Sequence, residues 1–317
     1  MTTQPIQGIH HITVFASDPQ KNIDFYTQVL GQRFVKKTVN FDNPSTYHLY
    51  YGDNVGSPGT IMTFFPWPMA KRGTRGNGEV AASAYGILAS SVSYWKERLK
   101  EFNISFQTER RFGQDVLIFQ DPDGMFVELI VTDGDPAPAH WANGPIPQEH
   151  ALRGFHGVTI WVHNAQGTST LLSGLFGFEK IAEEGDRIRF QGAGKFGQYI
   201  DLVVRPNAPR GQMGAGTIHH VALRTVDDSE QLAWQTVLRN YGFGVTDVKD
   251  RQYFHSIYFR EPSGTLFEVA TDAPGFAWDE PVETLGRDLK LPPWLEIDRE
   301  KIEDHVVPIT VAEYTAA

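Results

Sequence analysis

Two pairs of adjacent histidines occupy matching places in two similar apolar runs of the sequence. His10 and His11 lie in QGIHHITVFAS, residues 7–17, and His219 and His220 lie in GTIHHVALRTV, residues 216–226. Glu268 interrupts a third apolar run, TLFEVA. Two imidazoles and one carboxylate form the ligand set that holds divalent iron and leaves coordination positions open. The sequence therefore suggests chemistry at a divalent metal.

The runs that carry these residues are short, alternating and rich in β-branched and aromatic residues, which is typical of strands. Because side chains alternate along a strand, His11 is expected to face away from His10, and His220 away from His219. Helices must cover the apolar faces, so His11, His220 and Glu268 should face a concave interior. His10 and His219 are expected to pack beneath the site and to orient it.

The sequence contains four related units. A third start, GFHGVTIWVHN, occurs at residues 154–164, and a weaker one, SAYGILASS, occurs at 83–91. A helix-like stretch and further strands follow each start, and two units end in a hairpin with a Pro-x-Gly turn. These features predict an α+β fold made of four βαβββ modules, at about residues 7–70, 80–131, 153–206 and 215–272.

A Pro-rich segment at residues 132–150 divides the units into two pairs. It predicts a linker between a first pair of modules in 1–131 and a second pair in 151–272, followed by a C-terminal extension at 273–317. If the first and fourth modules supply one metal site, they must share one barrel-like sheet, and the second and third modules must share the other.

The amino-acid composition limits the kinds of metal site and of binding partner that the protein can have. The chain has 317 residues, no cysteine and a net charge of −10. Without thiolates, a metal must be held by His, Asp or Glu, and a negative chain without basic patches is not typical of nucleic-acid binding. No run of apolar residues is long enough to cross a membrane. We expect a cytoplasmic enzyme, and the sequence leaves its oligomeric state, monomer or homo-oligomer, open.

With these motifs in order, the chain resembles the vicinal oxygen chelate superfamily, which includes glyoxalases, extradiol dioxygenases and fosfomycin-resistance proteins. It is most similar to the ring-cleaving hydroquinone 1,2-dioxygenase group, through GIHHIT, IHHVAL, EPSGTLFE and LKLPPWLE. The resemblance implies that His11, His220 and Glu268 bind Fe(II), with Mn(II) as the alternative, and that Tyr258 and Arg251 act in catalysis. It also implies a para-hydroquinone and dioxygen as substrates.

Several alternatives remain open. His156, in GFHGV, could replace His11 as a ligand. A catechol-type extradiol dioxygenase is an alternative activity, although the third unit lacks the acid–base histidine of those enzymes. A metal-dependent glyoxalase or isomerase is another, although the first unit shows no fourth ligand in TIMTFFP. A second metal site at Glu128 and His156 would lack a third ligand, because Ala84 and Tyr85 stand where one is needed.

Overall fold

The structure is a computed structural model that describes residues 3–132 and 137–312. In these residues, sixteen strands form two curled sheets of eight strands each. Each module contributes one strand, one helix and three further strands, and the helices cover the outer faces of the sheets. The predicted α+β fold of four βαβββ modules is confirmed.

The first sheet contains the first and fourth modules. The first module consists of β1 (Ile9–Ala16), α1 (Pro19–Asp24, continued by a π-helical turn at Phe25–Val29), β2 (Arg33–Asn40), β3 (Asn43–Gly52) and β4 (Ile61–Pro66). The fourth consists of β13 (Ile218–Thr225), α4 (Asp228–Asn240), β14 (Lys249–Asp250), β15 (His255–Arg260) and β16 (Leu266–Thr271). The strand order is β14-β15-β16-β13-β1-β4-β3-β2.

The second sheet contains the second and third modules. The second module consists of β5 (Glu79–Ile87), α2 (Val92–Glu101), β6 (Phe106–Arg111), β7 (Gln114–Gln120) and β8 (Phe126–Val131). The third consists of β9 (Phe155–Val162), α3 (Gln166–Gly174), β10 (Glu179–Glu184), β11 (Arg187–Gln191) and β12 (Tyr199–Val204). The strand order is β10-β11-β12-β9-β5-β8-β7-β6, so the crossed pairing of modules is confirmed.

The Pro-x-Gly turns close the last hairpin of the second and fourth modules in the same way. The carboxylate of Asp121 accepts hydrogen bonds from the backbone N–H groups of Asp123 and Met125. Glu261 accepts the equivalent bonds from Ser263 and Thr265. Gly124 and Gly264 have φ angles of +88° and +101°, a conformation that side chains with a Cβ atom disfavour. The turns thereby fix the register of the strands that follow them.

The segment between the module pairs is only partly described, because residues 133–136 lie outside the described residues. Half of residues 137–150 are exposed, but Ile146 is buried. The indole Nε1 atom of Trp95 also donates a hydrogen bond to the backbone oxygen of His150 at 3.1 Å. Each sheet takes strands from both sides of this segment. The division into units at 1–131 and 151–272 stays a prediction as far as separate domains are concerned.

The described part of the C-terminal extension packs against the first sheet. It contains short 3-10 turns and one helix, α5 (Arg299–His305). Lys36, on β2, is completely buried, and its Nζ atom lies 2.6 Å from an oxygen of Asp279 and 2.7 Å from an oxygen of Glu280. Phe276 packs against Tyr50 of β3 with 5.0 Å between the ring centroids. The extension is therefore bound to the sheet by a buried ion pair and by aromatic packing.

Replacing Lys36 with methionine should destabilise the protein, because Glu280 would remain buried without its cation. We expect the free energy of unfolding to fall by about 3–5 kcal/mol. The matched control is Lys100→Met, which removes an exposed ion pair with Glu97 and should cost less than about 1 kcal/mol. Urea denaturation followed by tryptophan fluorescence measures both values. Equal effects of the two substitutions would contradict the role given to Lys36.

Candidate metal centre

Three side chains from three adjacent strands of the first sheet meet in its concave interior. His11 lies on β1, His220 on β13 and Glu268 on β16. The Nε2 atoms of the two histidines are 3.3 Å apart. Oε2 of Glu268 lies 3.4 Å from Nε2 of His11 and 2.8 Å from Nε2 of His220. All three residues are buried, and their ligand atoms lie within 4.8 Å of one another.

The strand ladders explain this convergence. In the antiparallel pair of β1 and β13, His11 lies opposite Ala222 and His220 lies opposite Thr13. In the parallel pair of β13 and β16, Ala222 lies beside Glu268. Residues that are neighbours across a ladder point to the same face of a sheet. The ladders therefore bring the two imidazoles and the carboxylate together.

The donor set fits a divalent metal. Oε2 of Glu268 is buried and lies close to the Nε2 atoms of both histidines, while Oε1 contacts the hydroxyl of Ser256. Burial raises the pKa of Glu268, but His11 and His220 outweigh this effect and hold the pKa well below its usual value. Burial lowers the pKa of His220. An ionised carboxylate and a neutral imidazole nitrogen are the forms that bind metal.

β-Bulges place the first histidine of each pair. Ile9 lies opposite Leu223 and His11 opposite Ala222, so β1 has one extra residue, His10, at this point of its ladder with β13. His219 is the extra residue of β13, between the pairs made by Thr13 and Val14. A bulge re-aims the side chain that it inserts. The strict alternation expected at His10 and His219 is therefore wrong.

The bulged histidines contact the rings of their neighbours. Nδ1 of His10 is 2.9 Å from Nδ1 of His11, and Nδ1 of His219 is 2.8 Å from Nδ1 of His220. Burial, assisted by His220, lowers the pKa of His219 to about 3, and burial assisted by His11 lowers that of His10 well below its usual value. Two imidazoles in Nδ1 contact can share one proton. If His11 and His220 carry it, their Nε2 atoms are free to bind metal.

Tyr258 and Arg251 lie beside the three residues. Tyr258 is the cross-strand neighbour of Glu268, and its ring centroid is 5.7 Å from that of His220. Nε of Arg251 donates a hydrogen bond to the hydroxyl oxygen of Tyr258 at 3.1 Å, and its guanidinium also pairs with Asp42 at 2.9 Å. Burial and Glu268 raise the pKa of Tyr258 well above its usual value, although Arg251 opposes them. Tyr258 is therefore protonated at neutral pH, with its O–H available as a donor.

A further polar group in this interior was missed by the sequence reasoning. His48 lies on β3, with Nε2 at 2.9 Å from the hydroxyl of Thr63 and Nδ1 at 2.8 Å from the hydroxyl of Tyr50. Thr63 in turn contacts the hydroxyl of Thr13 at 2.8 Å. Burial lowers the pKa of His48 well below its usual value. The sequence signal was the alternation of His48 and Tyr50 in TYHLYYGD, which puts both on one face of a strand.

The structure separates His156 from the three converging residues. His156 lies on β9 in the second sheet, is buried, and has no hydrogen-bond partner for either ring nitrogen among the described residues. The ladder of β5 and β9 corresponds to the ladder of β13 and β1 in the first sheet. Gly157 lies opposite Ala84 as His11 lies opposite Ala222. By the same correspondence, Ala82 stands at the position of His220. Ala82, rather than the expected Ala84, thus occupies the ligand position.

Glu128 is the residue of the second sheet that corresponds to Glu268, and it is already paired with an arginine. Glu128 lies beside Ala84 as Glu268 lies beside Ala222. Oε1 of Glu128 accepts a hydrogen bond from Nη1 of Arg111 at 2.8 Å. With glycine and alanine at the two histidine positions, the described second sheet offers no equivalent ligand set.

Comparison with known proteins identifies the family. The model of the glyoxalase/bleomycin resistance protein/dioxygenase superfamily matches residues 8–129 and 154–269. The chain is 46% identical over 306 residues to a Bacillus subtilis protein named ring-cleaving dioxygenase MhqO, covering 96% of this chain and 97% of the relative. It is 35% identical over 301 residues to the chlorohydroquinone/hydroquinone 1,2-dioxygenase of Sphingobium indicum, covering 92% and 93%.

Solved structures agree with the fold. A crystal structure of a Bacillus subtilis protein described as a dioxygenase superposes with a TM-score of 0.95 at 45% identity, covering 98% of this chain and 99% of that chain. Maize glyoxalase I gives a TM-score of 0.64 at 13% identity, covering 89% and 97%, which shows a shared fold alone. The chain therefore belongs to the glyoxalase/bleomycin resistance protein/dioxygenase superfamily, and relatives that it matches over nearly their full length are named ring-cleaving dioxygenases.

Proposed function

We propose that the protein is a non-haem Fe(II)-dependent ring-cleaving dioxygenase that inserts dioxygen into a para-hydroquinone. The observation that carries the proposal is the meeting of His11, His220 and Glu268 beside a protonated tyrosine, with Oε2 of the buried Glu268 at 2.8 and 3.4 Å from the two Nε2 atoms. Full-length similarity to a chlorohydroquinone/hydroquinone 1,2-dioxygenase supports the substrate class. No helix in the described part of the chain is long and apolar enough to span a membrane, and we keep the cytoplasm as the expected location.

His11, His220 and Glu268 would hold the metal and leave coordination positions open. Bound Fe(II) would supply a meeting point for a phenolate oxygen and dioxygen and a route for electrons between them. Mn(II) accepts the same ligands and is the alternative metal. His10 and His219 would hold the ligand rings in orientation through their Nδ1 contacts, because a fixed proton on Nδ1 directs Nε2 to the metal.

Tyr258 and Arg251 would act on the substrate. The hydroxyl oxygen of Tyr258 accepts from Arg251, so its proton is free to be donated to a substrate oxygen beside Glu268. A preorganised donor in a buried site stabilises negative charge that develops in the transition state. The cation of Arg251 would add to this effect, because it is held in place by both Tyr258 and Asp42.

The ladder also bears on the glyoxalase alternative. The two halves of the first sheet are related by an approximate two-fold axis between β1 and β13, under which His11 corresponds to His220. Thr63, beside Thr13, then corresponds to Glu268, beside Ala222. A glyoxalase-type isomerase usually completes its ligand set with a second glutamate in the first unit. Thr63 at the corresponding position favours a site with three protein ligands and open coordination positions.

The metal prediction is that removing any of the three ligands lowers iron content. His11→Ala, His220→Ala and Glu268→Gln should each reduce Fe(II) affinity by more than about tenfold after anaerobic reconstitution, since even residues that only orient ligands contribute about 10–100-fold. His156→Ala is the matched control, a buried histidine of the second sheet, and should keep one iron per chain. Metal analysis after gel filtration measures the content. Full iron in His11→Ala with loss in His156→Ala would overturn the assignment.

The substrate prediction concerns the arrangement of hydroxyls on the ring. Oxygen uptake by the iron-loaded enzyme should be faster with a substituted para-hydroquinone than with a catechol, because the catechol-specific acid–base histidine is absent from the third unit. Rates at equal substrate concentration in an oxygen electrode test this. Faster uptake with catechol would favour the extradiol alternative.

The Tyr258 prediction isolates one hydroxyl. Tyr258→Phe should leave fold and iron content intact while lowering hydroquinone turnover by roughly 10- to 1000-fold, as expected for loss of one transition-state donor. Tyr241→Phe, which changes an exposed tyrosine, is the control. Steady-state kinetics with parallel metal analysis measure both variants. A Tyr258→Phe enzyme with the parent rate would make Tyr258 a packing residue.

A further inference from the structure

The half of the first sheet without the carboxylate ligand repeats the polar arrangement of the half that carries it. Under the approximate two-fold axis, Thr63 corresponds to Glu268. Tyr50, opposite Thr63 on β3, then corresponds to Tyr258, opposite Glu268 on β15. His48, two residues before Tyr50, corresponds to Ser256, which contacts Glu268. A second tyrosine therefore faces the interior from the opposite side.

The groups on this side form one hydrogen-bonded chain. Thr13, Thr63, His48 and Tyr50 are linked in that order by contacts of 2.8, 2.9 and 2.8 Å. Three hydroxyls and one neutral imidazole carry four protons, and the three links use three of them. One proton remains at an end of the chain, and the tautomer of His48 decides which end. Tyr50 can thus offer either a donor or an acceptor beyond the chain, whereas both nitrogens of His48 are occupied.

Tyr50 and the metal ligands lie on the same face of the first sheet, because Tyr50 lies opposite Thr63, Thr63 lies beside Thr13, and Thr13 lies opposite His220. Tyr50 is 1% exposed, as buried as His11 at 1% and Glu268 at 0%. β3 is two strands away from β1, or about 10 Å at the usual strand spacing. Between them, the ring of Phe65 lies 4.3 Å from that of His48 and 6.0 Å from that of His219, which gives an apolar wall. An aromatic ring with a polar group at each end matches this arrangement.

We propose that Tyr50, oriented by His48, hydrogen-bonds to the second hydroxyl of the hydroquinone, para to the oxygen that binds the metal. This inference rests on the proposed function and extends it to the choice of substrate. In a para-hydroquinone the two hydroxyls lie at opposite ends of the ring, so the distal one needs a buried partner. A catechol brings both hydroxyls to the metal and would leave Tyr50 facing an apolar ring edge. Tyr50 then contacts substrate, and His48 is a positioning residue.

Binding in the absence of oxygen tests the inference separately from turnover. Hydroquinone and phenol are titrated into the iron-loaded enzyme under anaerobic conditions, because phenol keeps the metal-binding hydroxyl and lacks the distal one. Tyr50→Phe should weaken hydroquinone binding by about tenfold, the contribution of one hydrogen bond, and leave phenol binding unchanged. Tyr47→Phe, on the same strand but facing the opposite side, should leave both dissociation constants unchanged. His48→Leu should reduce the preference for hydroquinone over phenol in the same direction as Tyr50→Phe.

The outcomes separate the two levels of the proposal. A Tyr50→Phe or His48→Leu enzyme that binds iron and retains the parent preference for hydroquinone over phenol overturns the role of Tyr50 alone. Equal weakening of both ligands also overturns it, because a merely structural role would act on both. If the iron-loaded parent protein neither binds hydroquinone nor consumes oxygen with it, the proposed function fails, and the inference fails with it.

Discussion

The antiparallel contact between β1 and β13 is the constraint on which the candidate site depends. It joins strands of the first and fourth modules, so that His11 and His220, 209 positions apart, come within 3.3 Å. The same ladder sets the position of Glu268, because β16 follows the register of β13. Loop-closure entropy opposes such a distant contact, and the buried strands of both modules must supply the compensating apolar burial. The site therefore exists only in the assembled sheet.

The symmetry of this ladder is kept by the backbone and broken by the side chains. The backbone keeps the approximate two-fold relation, including one bulge in each central strand with a histidine as its extra residue. The side chains depart from it where β16 carries Glu268 and β4 carries Thr63. One half of the interior can thus hold a cation, while the other presents neutral hydrogen-bonding groups. An aromatic diol would suit this division, because one of its oxygens could bind the cation while the rest of the molecule faced the neutral groups.

Much of this arrangement could be predicted from the sequence, because repeats, alternating strands and Pro-x-Gly turns are local patterns. The crossed pairing followed from requiring His11 and His220 at one site. The bulges could not be predicted, since alternation assigns every residue to a face and contains no signal for an inserted one. His48 was missed for a different reason: its partners Thr63 and Tyr50 become meaningful only when β3 and β4 pair, and no repeat of the His48 position occurs elsewhere.

The second sheet shows why a repeated fold need not repeat its site. Asp201, at the position that corresponds to Thr63, pairs with Arg189 at 2.8 Å and with Arg187 at 3.0 Å. Glu128 pairs with Arg111. Buried carboxylates satisfied by arginine have little reason to bind a cation, because a metal would have to displace partners that already offset their desolvation. Charge pairing here takes the place of metal ligation in the polar interior, and among the described residues the group of three ligands suited to a divalent ion lies in the first sheet.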